Sequence, residues 1–403
     1  MLILVSILLA LGLLFWVVQS LLLLQTLRVL PALRGRRRSA RADDPLVSVI
    51  VPARNEQVVV EAAIRSRLED SDPQLEFILV DDRSTDSTGM ILDHLAETDP
   101  RVRVVHVEEL PVRWLGKVHA MQVGMRHARG TWVLLSDADV HVAPGTVREA
   151  VDLARSLEVV HLAGLPAIQS PSLRLQLCLA PLQRVLILLL RLWSVRDPGS
   201  DAAMGVGAFN LVRRDAFEEA GGCEALRMEV IDDVGVGVMI KKHGGGSCTA
   251  FASACLRISW YDRFSDFIHG IQRGMAKRPS WCPRWVLALL VLIVAGLDLS
   301  PFIALVGGIV VAPVGWIGIG FSAWAVLLSA IVARRFGTSA AIAVMVPLNT
   351  LLATMVALRV VLRGGRHGRI QWRGTTYEVA DLQQGSVVRF TGDGIRNETG
   401  EGP

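Results

Sequence analysis

Thr131–Asp139 (TWVLLSDAD) runs an apolar segment straight into two carboxylates, and Leu75–Asp82 (LEFILVDD) does the same earlier in the chain. Apolar runs this short that end in acids read as parallel strands buried on both faces, with the acids at the carboxyl edge of the sheet. Ligands of open α/β sheets bind at that edge. Working outward, strand-like segments at Val47–Val51, Leu75–Val80, Val102–Val107, Trp132–Leu135 and Val159–Ala163 alternate with helical stretches at Glu56–Leu68, Thr85–Ala96, Lys117–Ala128 and Gly145–Leu157. The alternation predicts an α/β fold, a mostly parallel sheet covered by helices. Asp201 to about Arg263 is less regular and glycine-rich.

Hydrophobic residues make up 51% of the chain and mean hydropathy is +0.43, which points to membrane segments. Met1 to Leu27 carries no charge. As a helix, Leu2–Leu24 would span about 35 Å, enough for a hydrocarbon core. A cleaved signal peptide would want a basic start, a shorter apolar core and a small-residue cleavage site, and none is present. Arg28, Arg34, Arg36, Arg37, Arg38 and Arg41 follow, with no acid before Asp43. Such a cluster marks the cytoplasmic side and attracts anionic lipid headgroups. Leu173–Trp193, if helical, gathers Arg174, Arg184 and Arg191 within an arc of about 80° beside a broad leucine surface, which suits an in-plane interfacial helix more than the alternative, a buried core helix. Three more apolar stretches follow at Val286–Gly308, Val314–Val332 and Ala340–Leu362. Arginines after the third would lie outside if all three crossed, so one is expected to be re-entrant or interfacial, with Asp298 and Pro347 marking the suspects. The expected plan is a membrane anchor over 1–27, a basic linker over 28–44 and a cytoplasmic catalytic domain over 45–284 with the interfacial helix at 172–195. A transmembrane or re-entrant region over 285–362 and a basic, then polar and disordered tail over 363–403 complete it. The five cysteines show no paired or metal-like spacing and read as reduced thiols. The net charge of +4 owes much to the juxtamembrane arginines, and no nucleic-acid motif accompanies it.

Four clusters carry chemistry. Pro52-Ala53-Arg54-Asn55-Glu56 forms a strand-to-helix turn that can offer backbone N–H groups to a nucleotide, although Asn55 is also a good helix cap. Asp82-Arg83-Ser84-Thr85 repeats that turn, and Asp82 can accept a hydrogen bond from a base. Asp137 and Asp139, at spacing two, share one face of an extended segment and can hold a divalent cation against a diphosphate. Asp232-Asp233 suits both a helix start and the general base of a sugar transfer. His141 follows the Asp-x-Asp pair and offers a third metal contact, though a packed histidine is the simpler reading.

These pieces resemble, as an ordered series, the family 2 glycosyltransferases with a GT-A (Rossmann-like) domain, and more narrowly the membrane-bound members that glycosylate lipids, such as the carotenoid-, hopanoid- and ceramide-associated enzymes. The series is Pro52–Glu56, Val80–Asp86, Trp114–Lys117, Ser136–Asp139 and Ile231–Val234, with Ala208–Arg214, Gly221-Gly222 and Trp372–Tyr377 supporting the narrower group. The resemblance spans about residues 45–377. It implies that Pro52, Arg54, Glu56 and Asp82 line the nucleoside and that Lys117 lies near the uridine or diphosphate. Asp137 and Asp139 would hold the diphosphate through Mg²⁺ or Mn²⁺, with Asp139 the direct ligand. Asp233 would be the general base beside Asp232, and Gly207, Phe209 and Asn210 would shape the acceptor side. Related synthases carry a Q/R-x-x-R-W element that this chain lacks. Its nearest counterpart is Gln272-Arg273-Gly274-Met275-Ala276-Lys277, which would assign Gln272 and Arg273 to the acceptor or diphosphate.

The expectation is a multi-pass protein of the inner or plasma membrane with its catalytic domain in the cytoplasm. It would move a sugar, with inversion, from a nucleotide sugar (a UDP-sugar) to a lipid acceptor. The alternatives are a processive polysaccharide synthase, a polyprenyl-phosphate glycosyltransferase and, from another class, a catalytically silent membrane scaffold.

Overall fold

A computed structural model of the chain describes residues 2–39, 41, 43–170, 172–259, 261, 264–274, 283–308, 312–363, 369–372 and 375–388. In chain order the first elements are α1 (Leu2–Val29), β1 (Val47–Ala53), α2 (Val60–Leu68), β2 (Leu75–Asp82), α3 (Thr88–Thr98) and β3 (Val102–Val107). Then come α4 (Gly116–His127), β4 (Trp132–Leu135), β5 (Val140–Val142), α5 (Thr146–Ser156), β6 (His161–Leu165), β7 (Ala167–Gln169) and α6 (Leu173–Leu189). They are followed by β8 (Asn210–Arg213), α7 (Arg214–Glu219), α8 (Gly222–Ala225), α9 (Asp232–Lys242), β9 (Ser247–Phe251) and β10 (Leu256–Ser259). The last are α10 (Phe264–Gly274), α11 (Arg284–Gly307), α12 (Ala312–Arg335), α13 (Val346–Arg363), β11 (Arg369–Trp372), β12 (Thr375–Glu378) and α14 (Val379–Gln384).

The chain divides into two compact units. The α/β unit takes residues 31–167, 194–259 and 368–403. Its main sheet has the order β3-β2-β1-β4-β8-β6-β9. The pairs β1·β2, β1·β4, β2·β3 and β6·β9 are parallel, and β8 runs antiparallel between β4 and β6. This is the mostly parallel GT-A architecture, with β8 as its reversed strand. Side chains alternate between two apolar layers. Val47, Val49 and Val51 of β1 join Ile64, Leu92 and Val147 on one face, while Ile50 joins Val118, Met121, Phe217 and Met239 on the other. Burial on both faces explains why the strands read as unbroken apolar runs. Four described cysteines, Cys178, Cys223, Cys248 and Cys255, are buried free thiols; Cys282 lies outside the described residues.

Two sequence expectations about the edges of this unit need correction. The stretch after α1 is not a loose linker: Leu33 N donates to Phe251 O at 2.8 Å, and the backbone N–H groups of Arg34, Gly35 and Arg36 all converge on Glu149 Oε2 at 2.8–3.1 Å. Arg38 is bound by Asp44 and Asp152. Nor is the chain beyond Glu378 wholly disordered, because α14 buries Leu382 in the second apolar layer and Val388 is 5% exposed. Apolar residues spaced within a polar segment supplied that anchorage.

The helical unit takes residues 1–30, 168–193 and 260–367. Among the described residues five helices are long and apolar enough to cross a membrane: Ser6–Val29, Leu173–Ser194, Arg284–Gly307, Val314–Arg335 and Val346–Arg363. In α6 the arginines do not form one outward stripe. Arg174 and Arg191 are exposed, but Arg184 is 5% exposed and donates twice to Asp298 of α11, at 2.7 and 2.9 Å. Asp298 therefore has a partner inside the bundle. Pro347 sits in the first turn of α13, where its missing N–H costs nothing, so it opens a helix instead of breaking one.

Candidate active site

The carboxyl ends of β1, β2 and β4 bring their following loops together, as the sheet order requires. The loops after β1 and β2 are joined to each other: Asn55 N donates to Ser84 Oγ at 3.1 Å, and Thr85 N donates to Asn55 Oδ1 at 2.8 Å. Asn55 is thus a loop tie and not a helix cap. It and Arg83 adopt left-handed backbone angles, φ 55° each, a conformation that side chains other than asparagine rarely accept. In Arg83 that turn returns the guanidinium to Asp82, whose oxygens accept from Nε at 2.8 Å and Nη2 at 3.2 Å. Arg54 Nη1 stands 3.8 Å from the same carboxylate. Asp82 therefore presents an acid–arginine pair, not a bare carboxylate. Arg54, Asp82, Leu115, Gly116, Lys117 and Asp232 line one pocket together with Thr375 and Tyr377.

A second pocket adjoins it through Lys117 and Asp232, and Pro52, Asp137, Gly207, Asn210 and Asp233 share its lining. Lys117 in the first turn of α4 is the centre of charge. Its Nζ lies 2.8 Å from Asp137 Oδ1 and 2.9 Å from Asp232 Oδ2. Burial alone would lower the Lys117 ammonium, but Asp137, Asp232 and Asp233 together outweigh it and hold the group above its ordinary value. Asp232 and Asp233 open α9, where the helix dipole favours negative charge. Burial, then the charge of Asp232, pushes the Asp233 carboxyl up to about 6. Asp233 Oδ2 accepts from Gly207 N at 3.0 Å, Oδ1 accepts from Val234 N at 2.9 Å, and the Asp233 carbonyl accepts from Asn210 Nδ2 at 3.1 Å.

Asp137 and Asp139 occupy the turn between β4 and β5, not an extended segment, yet both are half-buried while Ser136 and Ala138 are buried. Burial, then the neighbouring Asp137, raises the Asp139 carboxyl. A hard divalent cation would relieve that electrostatic arrangement, so the carboxylate pair fits Mg²⁺ or Mn²⁺. Among the described residues no three His, Cys, Asp or Glu side chains converge on a metal site, so His141 does not join the pair.

Other expected site residues fall elsewhere. Glu56 lies outside both pocket linings and is fixed by its N–H to Thr88 Oγ1 at 2.8 Å. Phe209 is completely buried in the apolar layer against Gly164 and lies outside both pocket linings. Gln272 and Arg273 belong to α10 of the helical unit; the Arg273 side chain and Lys277 lie outside the described residues.

Two residues of the site were missed. Arg67, 3% exposed, donates to the Asp137 carbonyl at 2.5 Å and to Ser136 Oγ at 3.2 Å from beneath the acidic turn. Its spacing gave the signal, since Val60, Ala63, Ile64 and Arg67 stand at i, i+3, i+4 and i+7, the buried stripe of a helix. His161, fully buried, contacts Asn210 Oδ1 and Ser247 Oγ at 2.8 Å each and so orients the Asn210 amide toward Asp233. Burial holds this imidazole at about 4, hence neutral.

The fit around Asp233 is close. A Cβ on Gly205 would collide with the Asp233 carbonyl, and one on Gly207 would lie 2.5 Å from Asp137 Oδ2. Gly205→Ala is therefore expected to cost about 1–3 kcal/mol by overpacking against backbone, read as a lower thermal midpoint together with lost donor affinity. An unchanged midpoint would show that the α9 start yields freely.

Residues 48–221 match the family described as Glycosyl transferase family 2. The glycosyltransferase TuaG of Bacillus subtilis is 39% identical over 95 residues, 24% of this chain and 36% of that protein. The undecaprenyl-phosphate 4-deoxy-4-formamido-L-arabinose transferase of Edwardsiella ictaluri is 34% identical over 111 residues, 27% of this chain and 33% of that protein. The chain thus spans about a third of the length of these curated relatives. Among solved structures, the mannosyltransferase PcManGT of Pyrobaculum calidifontis, in complex with GDP-Man and Mn²⁺, is similar at a TM-score of 0.48 and 20% identity, covering 87% of this chain and 99% of that one. Motif order, sheet order and the match over the loops after β1, β2 and β4 agree: residues 48–221 form a family 2 glycosyltransferase domain.

Proposed function

We propose that the protein is a membrane-bound inverting glycosyltransferase that moves a sugar from a nucleotide sugar, a UDP-sugar, to a lipid hydroxyl at the cytoplasmic membrane face. The observation that carries this reading is the Asp137–Lys117–Asp232 bridge beside Asp233, whose carboxyl is held at about 6. A general base works best when its pKa lies near the operating pH. Asp233 takes the acceptor hydroxyl's proton, the acceptor oxygen bonds to the anomeric carbon from the face opposite the diphosphate, and the sugar–phosphate C–O bond breaks. The nucleoside diphosphate leaves with that electron pair. Lys117 meets the leaving diphosphate, and Arg67 fixes the turn from which Asp137 and Asp139 reach it. A divalent cation held by Asp137 and Asp139, Mg²⁺ or Mn²⁺, would offset negative charge on the diphosphate. The five helices of membrane-crossing length among the described residues support a lipid acceptor, because an apolar acceptor then reaches the enzyme without leaving the bilayer. The relative named for undecaprenyl phosphate favours one second reading, transfer to a polyprenyl phosphate oxygen.

The test is release of nucleoside diphosphate by the full-length protein in detergent, scanning UDP- and GDP-sugars with and without membrane lipid or polyprenyl phosphate. Release that depends on lipid and on added Mn²⁺ or Mg²⁺ is expected. EDTA and Asp139→Ala should each reduce it by at least about 100-fold, in proportion to the lost charge stabilisation. Metal-independent release would overturn the assignment of Asp137 and Asp139, and no release with any donor and acceptor would favour the silent scaffold.

A further inference from the structure

The segment that follows the helical unit, Thr375–Val388, is attached at both sides of the acidic site. Thr375 and Tyr377 are half-buried while Thr376 and Glu378 are exposed, the alternation of a strand with one face inward. Thr375 and Tyr377 share a pocket lining with Asp82, Lys117 and Asp232. Tyr377 Oη donates to the Trp114 carbonyl at 3.3 Å, three residues ahead of Lys117. Further on, Ser386 Oγ and the backbone N–H groups of Val387 and Val388 all donate to Glu229 Oε2, at 2.9, 2.9 and 3.0 Å. Glu229 Oε1 accepts from Ile231 N at 2.9 Å. Glu229 is completely buried and stands three residues before Asp232. A buried carboxylate persists only where donors satisfy its oxygens, and three of these four come from the returning segment.

We infer that residues 375–388 are a working part of the donor site. Thr375 and Tyr377 contact the nucleoside diphosphate, and Glu229 is a positioning residue that latches the segment to the start of α9. The inference rests on the nucleotide-sugar reading above and extends it to a stretch well outside residues 48–221. Affinity for the donor is then set partly by chain that lies beyond the helical unit in sequence.

The test uses the full-length protein in detergent with Mn²⁺, titrated with UDP and with GDP, alongside steady-state release assays. Tyr377→Phe and Thr375→Val should each weaken nucleoside diphosphate binding by about tenfold, the loss of roughly one hydrogen bond. Donor KM should rise with it while acceptor KM and the thermal midpoint hold. Glu229→Gln places an amide against three donors and should expose residues 375–388 to limited proteolysis, with added diphosphate restoring protection. Val387→Pro removes one donor from the segment itself and tests the latch even where Glu229→Gln does not fold. If the wild type binds neither diphosphate, the nucleotide-sugar reading falls and this inference with it. If the wild type binds and the Tyr377 and Thr375 variants bind equally well, the inference alone is overturned. Unchanged proteolysis of Val387→Pro would remove the latch.

Discussion

Asp233→Asn will lower turnover by about 10²–10⁴-fold while leaving nucleoside diphosphate binding within a few-fold of wild type. The asparagine keeps the size of the side chain and one oxygen to accept from Gly207 N, while its amide nitrogen faces Val234 N, so one local hydrogen bond is lost together with the proton acceptor. The pH profile makes the prediction specific. The Asp233 carboxyl is raised to about 6 because it is buried beside Asp232, and only its ionised form takes a proton. Wild-type kcat/KM should therefore rise with pH through about 6 and level off above it. In the variant that limb should vanish. Asp232→Asn should behave differently, since Asp232 pairs with Lys117 at 2.9 Å and its loss frees Lys117 to pair with Asp137 alone. Its main effect should fall on donor KM. An Asp233→Asn enzyme that keeps more than about a tenth of its activity, or keeps the acidic limb, would move the base elsewhere.

How far the sequence could be read depended on the range of the interaction. Strands β1 to β4 and helices α2 to α5 were legible because their apolar periodicity is local, and the acids sat where β2 and β4 end. Asp137, Asp232 and Lys117 do meet, although they stand far apart in the chain. What could not be read were pairings whose partners share no pattern. Arg184 looked like one member of an outward arginine arc, and only Asp298, 114 residues later, reveals it as buried. Glu229 resembled any acid before a helix until Ser386–Val388 supplied its donors. Residues 31–167, 194–259 and 368–403 belong to one compact unit.

Arg184→Leu is expected to destabilise the helical unit by about 3–5 kcal/mol, because it strands Asp298 in an apolar interior. The pair is placed where that cost is greatest. Arg184 Nη1 donates to Ser329 Oγ of α12 at 2.6 Å, and Thr350 of α13 donates to Asp298 Oδ2 at 2.5 Å. The Arg184 guanidinium also lies 5.3 Å from the ring centre of Trp16 in α1. One ion pair therefore touches five helices. In lipid the apolar surfaces of helices gain little by leaving the acyl chains, so packing and polar contacts decide how they associate. A charge pair bonded to hydroxyls at the meeting point fixes rotation and register, since a slip of any helix leaves a charge or hydroxyl without its partner. Asp298→Leu should be about as damaging as Arg184→Leu, by the same reasoning in reverse. The double variant Arg184→Leu/Asp298→Leu should recover much of the lost thermal midpoint, because no charge is then stranded. If instead the double variant loses as much as the two single ones together, the pair contributes no more than packing, and register must be set by the apolar contacts of α6 with α10 and α13 through Leu175, Leu179, Phe267 and Val360.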